Sequence, residues 1–324
     1  MHINLISNIK KSLKVMTDED RRDQTYKEYL AKIGMVGDCP NEGFHVTERE
    51  PRFYKDSNLC SPQQDFFGFY ALRNAIRGCL VSCRFIEGGN LLNTSGYYAL
   101  STIAYYSAAF QLLTSFLAIN GKTIVQYPVN SLINTPSKLP EQICAKLTRN
   151  NRWNFEGLGL SHKQIWSLLA CVFAESYKDS IPSFFIDFLK YIAKLNNKTF
   201  EPTNLKEIIE SVPNLRHQAL YAGFGFDRIE YENAMTRSTS RDSEINKLSC
   251  SLQSFSQDLL SYCLEEVLLI QAAIDSCPGF TCVYYLLRAG IGFPPFEFET
   301  RTPMNLGRDD LSKRMRKLMY WINF

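Results

Sequence analysis

Apolar side chains recur three and four positions apart along much of this chain, which is the spacing of amphipathic helices. The spacing predicts a helix over residues 64–87 and a long one over 243–275. Shorter stretches with the same period predict helices at 18–33, 141–148, 162–176 and 181–195, and a basic helix at 309–323. Strand-like alternation is scarce, so the predicted fold class is all-α, an up-and-down helical bundle.

One further predicted helix, over residues 97–119, is apolar on every side. Asn93, Thr94 or Ser95 can cap its start after the interruption GGNLLNTS, and Asn120 with Gly121 can end it. The stretch is long enough to span a bilayer. However, its serines, threonines and Gln111 favour burial inside a protein, so we expect the central helix of a bundle and no membrane partner.

The pattern divides the chain into three parts. Residues 1–65 are polar and rich in turn-forming residues, and are predicted to be an N-terminal extension. Residues 66–275 are predicted to form the bundle, with an irregular stretch at 128–140 and a helix break at Pro213. Residues 276–324 are predicted to be an aromatic and basic C-terminal extension.

Composition fits this picture and narrows the chemistry. Hydrophobic residues make up 45% of the 324 residues and charged residues 21%, and the net charge is +3. That charge is too small to indicate a nucleic-acid partner by itself. The ten cysteines lack the spacing of a zinc site, and the N-terminus lacks a secretory pattern. We therefore expect a cytoplasmic protein with reduced thiols, no metal and no cofactor.

Common enzyme motifs are missing from the sequence. It contains no P-loop, no GxSxG nucleophile elbow and no HExxH pair. Glu265 and Glu266 lie on the long predicted helix without the Glu-x-x-His partner of di-iron bundles, so we expect them to be solvated or paired.

Three stretches follow one another in a suggestive order. The first, residues 97–122, is a helix of tyrosine, alanine and small residues that closes on a glycine. In the second, Ser161 and His162 open a helix that continues through Ile165 and Trp166. The third, NLRHQALYAGF, covers residues 214–224. Together, over roughly residues 65–275, they resemble the HEPN superfamily, the helical bundles of bacterial toxins and defence ribonucleases.

The resemblance implies metal-independent RNA cleavage by a homodimer in which two arginine motifs face each other. Arg216 matches the arginine that steadies the phosphoryl oxygens, and His217 matches the adjacent polar position. Tyr221 stands where the family's histidine is expected, and a tyrosine is about a thousandfold too little ionised at pH 7 to act as a ready base. His217 can take over proton transfer, although it points about 100° away from Arg216 on a helix.

Each of these residues also has a structural interpretation. Arg216 can cap a helix or pair with a carboxylate such as Glu230, and His217 can be an ordinary surface residue. His162 can contact phosphate, or can hydrogen-bond within the first turn of its helix. Arg314 and Lys317 lie three positions apart beside Tyr320 and Trp321, so this basic helix binds RNA or is simply solvated.

Two functions remain open from the sequence. The first is a HEPN-like protein of a bacterial defence or toxin-type system that cleaves or binds RNA, alone or with a partner protein of the same system. The alternative is a catalytically inactive helical scaffold that dimerises or binds a partner protein. Arg216 beside His217 favours the first function, and Tyr221 favours the second.

Overall fold

The computed structural model describes residues 3–16, 61–126, 142–148, 150–158, 162–175, 181–222, 228–276 and 305–323. Of these residues 81% are helical, so the all-α prediction is confirmed. The helices are α1 (Ile3–Met16), α2 (Ser61–Thr94), α3 (Tyr98–Ile119), α4 (His162–Glu175), α5 (Ser183–Leu195), α6 (Leu205–Ala222), α7 (Arg228–Asp275) and α8 (Asp309–Asn323). A small sheet contains β1 (Lys122–Gln126), β2 (Gln142–Leu147) and β3 (Trp153–Leu158).

Helix α3 lies at the centre of the bundle, as its uniformly apolar sequence predicts. It makes most of its contacts with α2 and α7, and fewer with α6 and α4. It is also long and apolar enough to cross a membrane, and 67% of its most apolar stretch is buried inside the protein. Two of its buried serines have partners on neighbouring helices: Ser101 Oγ lies 2.6 Å from Ser249 Oγ, and Ser115 Oγ donates to the Ala75 carbonyl at 2.8 Å.

Helices α2 and α3 approach so closely that two glycines are needed between them. A Cβ on Gly78 would lie 2.0 Å from Ser115 Oγ, and one on Gly89 would lie 2.6 Å from the Tyr105 ring. The predicted break at Gly88 and Gly89 is therefore wrong, because α2 continues to Thr94. The predicted cap is also wrong, because α3 begins after Tyr97 without a side-chain cap.

The three strands correct another prediction. Residues 141–148 were expected to be helical, but β2 pairs antiparallel with β1 on one side and with β3 on the other. Six residues are too few to show a helical or strand period clearly, and pairing on both edges decides the conformation. Asn74 of α2 donates to Thr123 Oγ1 at 2.8 Å, and Trp153 Nε1 donates to Asn8 Oδ1 at 3.2 Å, which fixes the sheet against α2 and α1.

The remaining helices agree with the sequence in type and differ in extent. Helices α4, α5 and α8 confirm the predictions at 162–176, 181–195 and 309–323. Helix α6 runs through Pro213 instead of breaking there, and the buried face on both sides of the proline keeps it continuous. Leu5 and Ile9 of α1 are buried in the common core. The predictions at 18–33 and 128–140 lie outside the described residues.

Candidate functional site

The three stretches that carry the family resemblance meet in space. Helices α3, α4 and α6 pack against one another. Tyr106 of α3 and Trp166 of α4 are almost fully buried, with ring centroids 6.5 Å apart and ring planes inclined by 32°. Arg216 of α6 lies at the surface beside them. Segments that are far apart in sequence therefore build one local arrangement.

The electrostatics of Tyr106 show how close these groups are. Burial raises the pKa of Tyr106, while the Trp166 indole N–H and the Arg216 charge lower it, and burial has the larger effect. Trp166 Nε1 is itself buried, and it has no partner of normal hydrogen-bond geometry within the described residues. Arg216 thus places its positive charge near the Tyr106 hydroxyl while remaining exposed to solvent.

The other proposed catalytic positions share these helices. His217 and Tyr221 lie on α6, and His162 begins α4. Their side chains, like that of Glu230, lie outside the described residues, so their pairing with Arg216 stays a prediction. Tyr106, whose pKa the Arg216 charge lowers, is protonated at neutral pH, as a tyrosine is without any shift.

The basic C-terminal helix packs on α7 through buried apolar side chains, and Arg314 adds polar contacts to α7. Arg314 Nη1 lies 3.3 Å from Ser261 Oγ and 3.5 Å from a Glu265 carboxylate oxygen. Just before α8, Arg308 donates to Asp258 at 2.7 Å. Lys317, in contrast, is exposed. Arg314 therefore contacts α7 while its side chain stays 37% exposed, and Lys317 is the more exposed member of the predicted RNA-binding pair.

A groove of about 690 Å³ lies between α5, α7 and the chain just before α8. Its floor is aromatic, because the rings of Phe188 and Phe255 stack with centroids 3.9 Å apart and planes inclined by 10°. Three carboxylates and one guanidinium line it, together with serine hydroxyls. The charged lining residues are Asp187, Asp258, Glu265 and Arg308.

The groove residues of α7 carry a signal in the sequence, although it lies within the long helix predicted from apolar spacing. The groove residues of α7, from Ser251 to Glu265, follow one another at intervals of one or three positions, which places them on one face of the helix. That stripe mixes serines, acids and aromatic rings, whereas a core stripe is uniformly apolar. Glu265 is paired, as predicted. For Glu266, burial and then the neighbouring Glu265 charge raise the carboxyl pKa.

Comparisons with known proteins identify no relative of this chain. No protein-family model matches the sequence, and no curated protein or solved structure shows significant similarity to it. Within the described ranges, no group of three or more histidine, cysteine, aspartate or glutamate side chains is placed to hold a metal ion. The surface around Arg216 and the groove between α5 and α7 are therefore the two candidate sites of this protein.

Proposed function

We propose that this protein is a HEPN-like helical component of a bacterial defence or toxin-type system, and that it engages RNA through the surface of α6 around Arg216. One observation carries the proposal. The three stretches of the resemblance converge on Tyr106, Trp166 and Arg216, with the arginine at the surface. In this proposal the protein is cytoplasmic and acts as a homodimer that pairs two such surfaces.

The chemistry of Arg216 supports a phosphate partner. A guanidinium carries a permanent charge and a planar set of donors that matches phosphate oxygens. Tyr106 and Trp166 are buried and Arg216 is exposed, so the guanidinium is the member of this group that a phosphate can reach. A tyrosine hydroxyl is neutral at pH 7, and burial raises the pKa of Tyr106 further, so this residue adds no negative charge that would repel RNA. Proton transfer, if present, falls to His217.

The test is an RNA cleavage and binding assay with a chelator in place of metal ions. A mixed-sequence single-stranded RNA is incubated with the full chain and with Arg216→Ala, Arg216→Lys and His217→Ala variants. We expect RNA affinity to fall about tenfold in Arg216→Ala, since one charge-assisted phosphate contact contributes about 1.5 kcal/mol. Arg216→Lys should recover part of this loss.

Lys206→Ala is the matched control, because Lys206 is an exposed cation on the same helix, near its other end. It should leave RNA affinity within about twofold of the parent. Equal losses in Arg216→Ala and Lys206→Ala would indicate nonspecific attraction and would overturn the proposal. Cleavage that is lost in His217→Ala while binding persists would assign the proton transfer to that histidine.

A second candidate function is the catalytically inactive scaffold. It is favoured by the groove between α5 and α7, whose carboxylates suit a protein partner better than RNA. The same assay separates the two candidates. A parent protein that neither binds nor cleaves RNA leaves the scaffold as the better account.

A further inference from the structure

The groove between α5 and α7 is a second surface with its own chemistry. We propose that it binds an extended, arginine-bearing segment of a partner protein. This inference does not depend on Arg216 or on RNA, because the groove residues belong to α5, α7 and the chain before α8. The occupant is identified by the shape, the rings and the charges of the groove.

The dimensions fit a short peptide. Along α7 the groove extends from Ser251 to Glu265, a helical distance of about 21 Å. An extended chain of about six residues covers that length. The hydroxyls of Ser251 and Ser254 make no hydrogen bond to any described residue, so they are available to the polar backbone of such a segment.

The aromatic floor favours a guanidinium over other side chains. Phe188 and Phe255 stack at the base, and Phe184 lies 6.1 Å from both the Phe255 and Tyr262 rings. The Phe188 and Phe255 faces are buried against each other, whereas the Phe184 and Tyr262 rings are partly exposed. A guanidinium can lie against these two rings and gain a cation–π attraction.

The charges point the same way. Asp187, Asp258 and Glu265 line the groove together with one cation, Arg308. Asp258 is paired with Arg308, and Glu265 lies 3.5 Å from Arg314, so Asp187 on the α5 wall is the carboxylate that no arginine of the described residues meets. Asp187 also meets Lys190 at 3.8 Å, but both side chains are largely exposed, so this pair contributes little. The exposed Asp187 carboxylate therefore favours a cationic segment over an anionic one along the α5 wall.

The chain itself shows that this face of α7 accepts arginine. Arg308 donates to Asp258, and Arg314 lies against Glu265 and the Ser261 hydroxyl. Both arginines approach from the α8 side. The opposite wall, with Asp187 and Ser183 of α5, has no such arginine among the described residues. An arginine from a partner would meet Asp187 on the α5 wall, as Arg308 and Arg314 meet the carboxylates of α7 on the other side.

The test is a positional-scanning hexapeptide library, bound to the full chain. We expect arginine to be selected above every other residue at one position or more. The selected peptide, labelled with fluorescein, should then bind at least tenfold more weakly to an Asp187→Asn, Glu265→Gln double variant, and at least tenfold more weakly when citrulline replaces its arginine. Asp187→Asn and Glu265→Gln each keep the size of the side chain and remove its charge, and both positions are exposed.

Two controls decide the interpretation. Asp275→Asn removes a carboxylate from the same helix outside the groove and should leave peptide affinity unchanged. Ser254→Lys places a cation in the groove and should abolish binding. A library without arginine preference, or an affinity that is the same in the double variant, overturns the proposal. Selection of acidic peptides does so as well.

Discussion

The two faces of α7 use the same residue types in opposite ways. On the inner face, Ser249 meets Ser101 of α3 across a 2.6 Å hydrogen bond, and Ser256 donates to the Tyr105 carbonyl at 3.0 Å. On the outer face, Ser251 and Ser254 lie along a groove. A serine is therefore structural where a neighbouring helix supplies its partner, and available to a ligand where none does.

The largest expected difference between the faces concerns cysteine. Cys250 is exposed on α7, whereas Cys263 is fully buried on the same helix, and burial raises the pKa of its thiol. Only the thiolate reacts, and reaching Cys263 requires local opening. Maleimide should therefore modify Cys250 about a thousandfold faster or more, as measured by peptide-resolved mass spectrometry. In denaturant the two rates should converge, and similar rates in the native protein would contradict the assigned burial.

The serines give the next largest effect. Ser249→Ala leaves the buried Ser101 hydroxyl without this partner and should lower the free energy of unfolding by about 1–2 kcal/mol. Ser254→Ala on the outer face should change it by less than about 0.5 kcal/mol. Urea unfolding of both variants provides the measurement. Equal effects would mean that the two faces are not distinguished by hydrogen bonding.

The smallest effect is a pH dependence at Glu266, which lies between the faces. Burial raises its pKa in the folded protein, so the stabilisation linked to its proton is complete below the unfolded value and is lost as pH rises through the folded value. Glu266→Gln should therefore become more stable relative to the parent as pH increases from about 4 to 7. A stability difference that is constant over this range would show that Glu266 is normally solvated.

The sequence predicted the helices better than the connections between them. Helical spacing located the long and short helices, because an apolar stripe on a helix must be buried whichever neighbour covers it. Gly89 was misread as a break because sequence alone does not show that Tyr105 would pack against it. Strand β2 was misread because its conformation depends on partners on both sides.

The candidate sites were predictable to different degrees. Arg216 was found through the resemblance, and its proximity to Tyr106 required the packing of α6 against α3. Arg314 looked free in sequence, but it pairs with Glu265, which lies 49 positions earlier. The groove was missed because its α7 residues share the helical spacing of the apolar positions beside them, and its opposite wall comes from α5.

In the proposed function, RNA binds the Arg216 surface of α6 and not the groove beside α7. Crosslinking of 4-thiouridine-labelled RNA to the full chain, followed by peptide mapping, tests it most directly. The account predicts crosslinks within 205–222 and the facing parts of α3 and α4, and their loss in Arg216→Ala. Crosslinks concentrated in α5 and in residues 251–265 of α7, unchanged by Arg216→Ala, would contradict it.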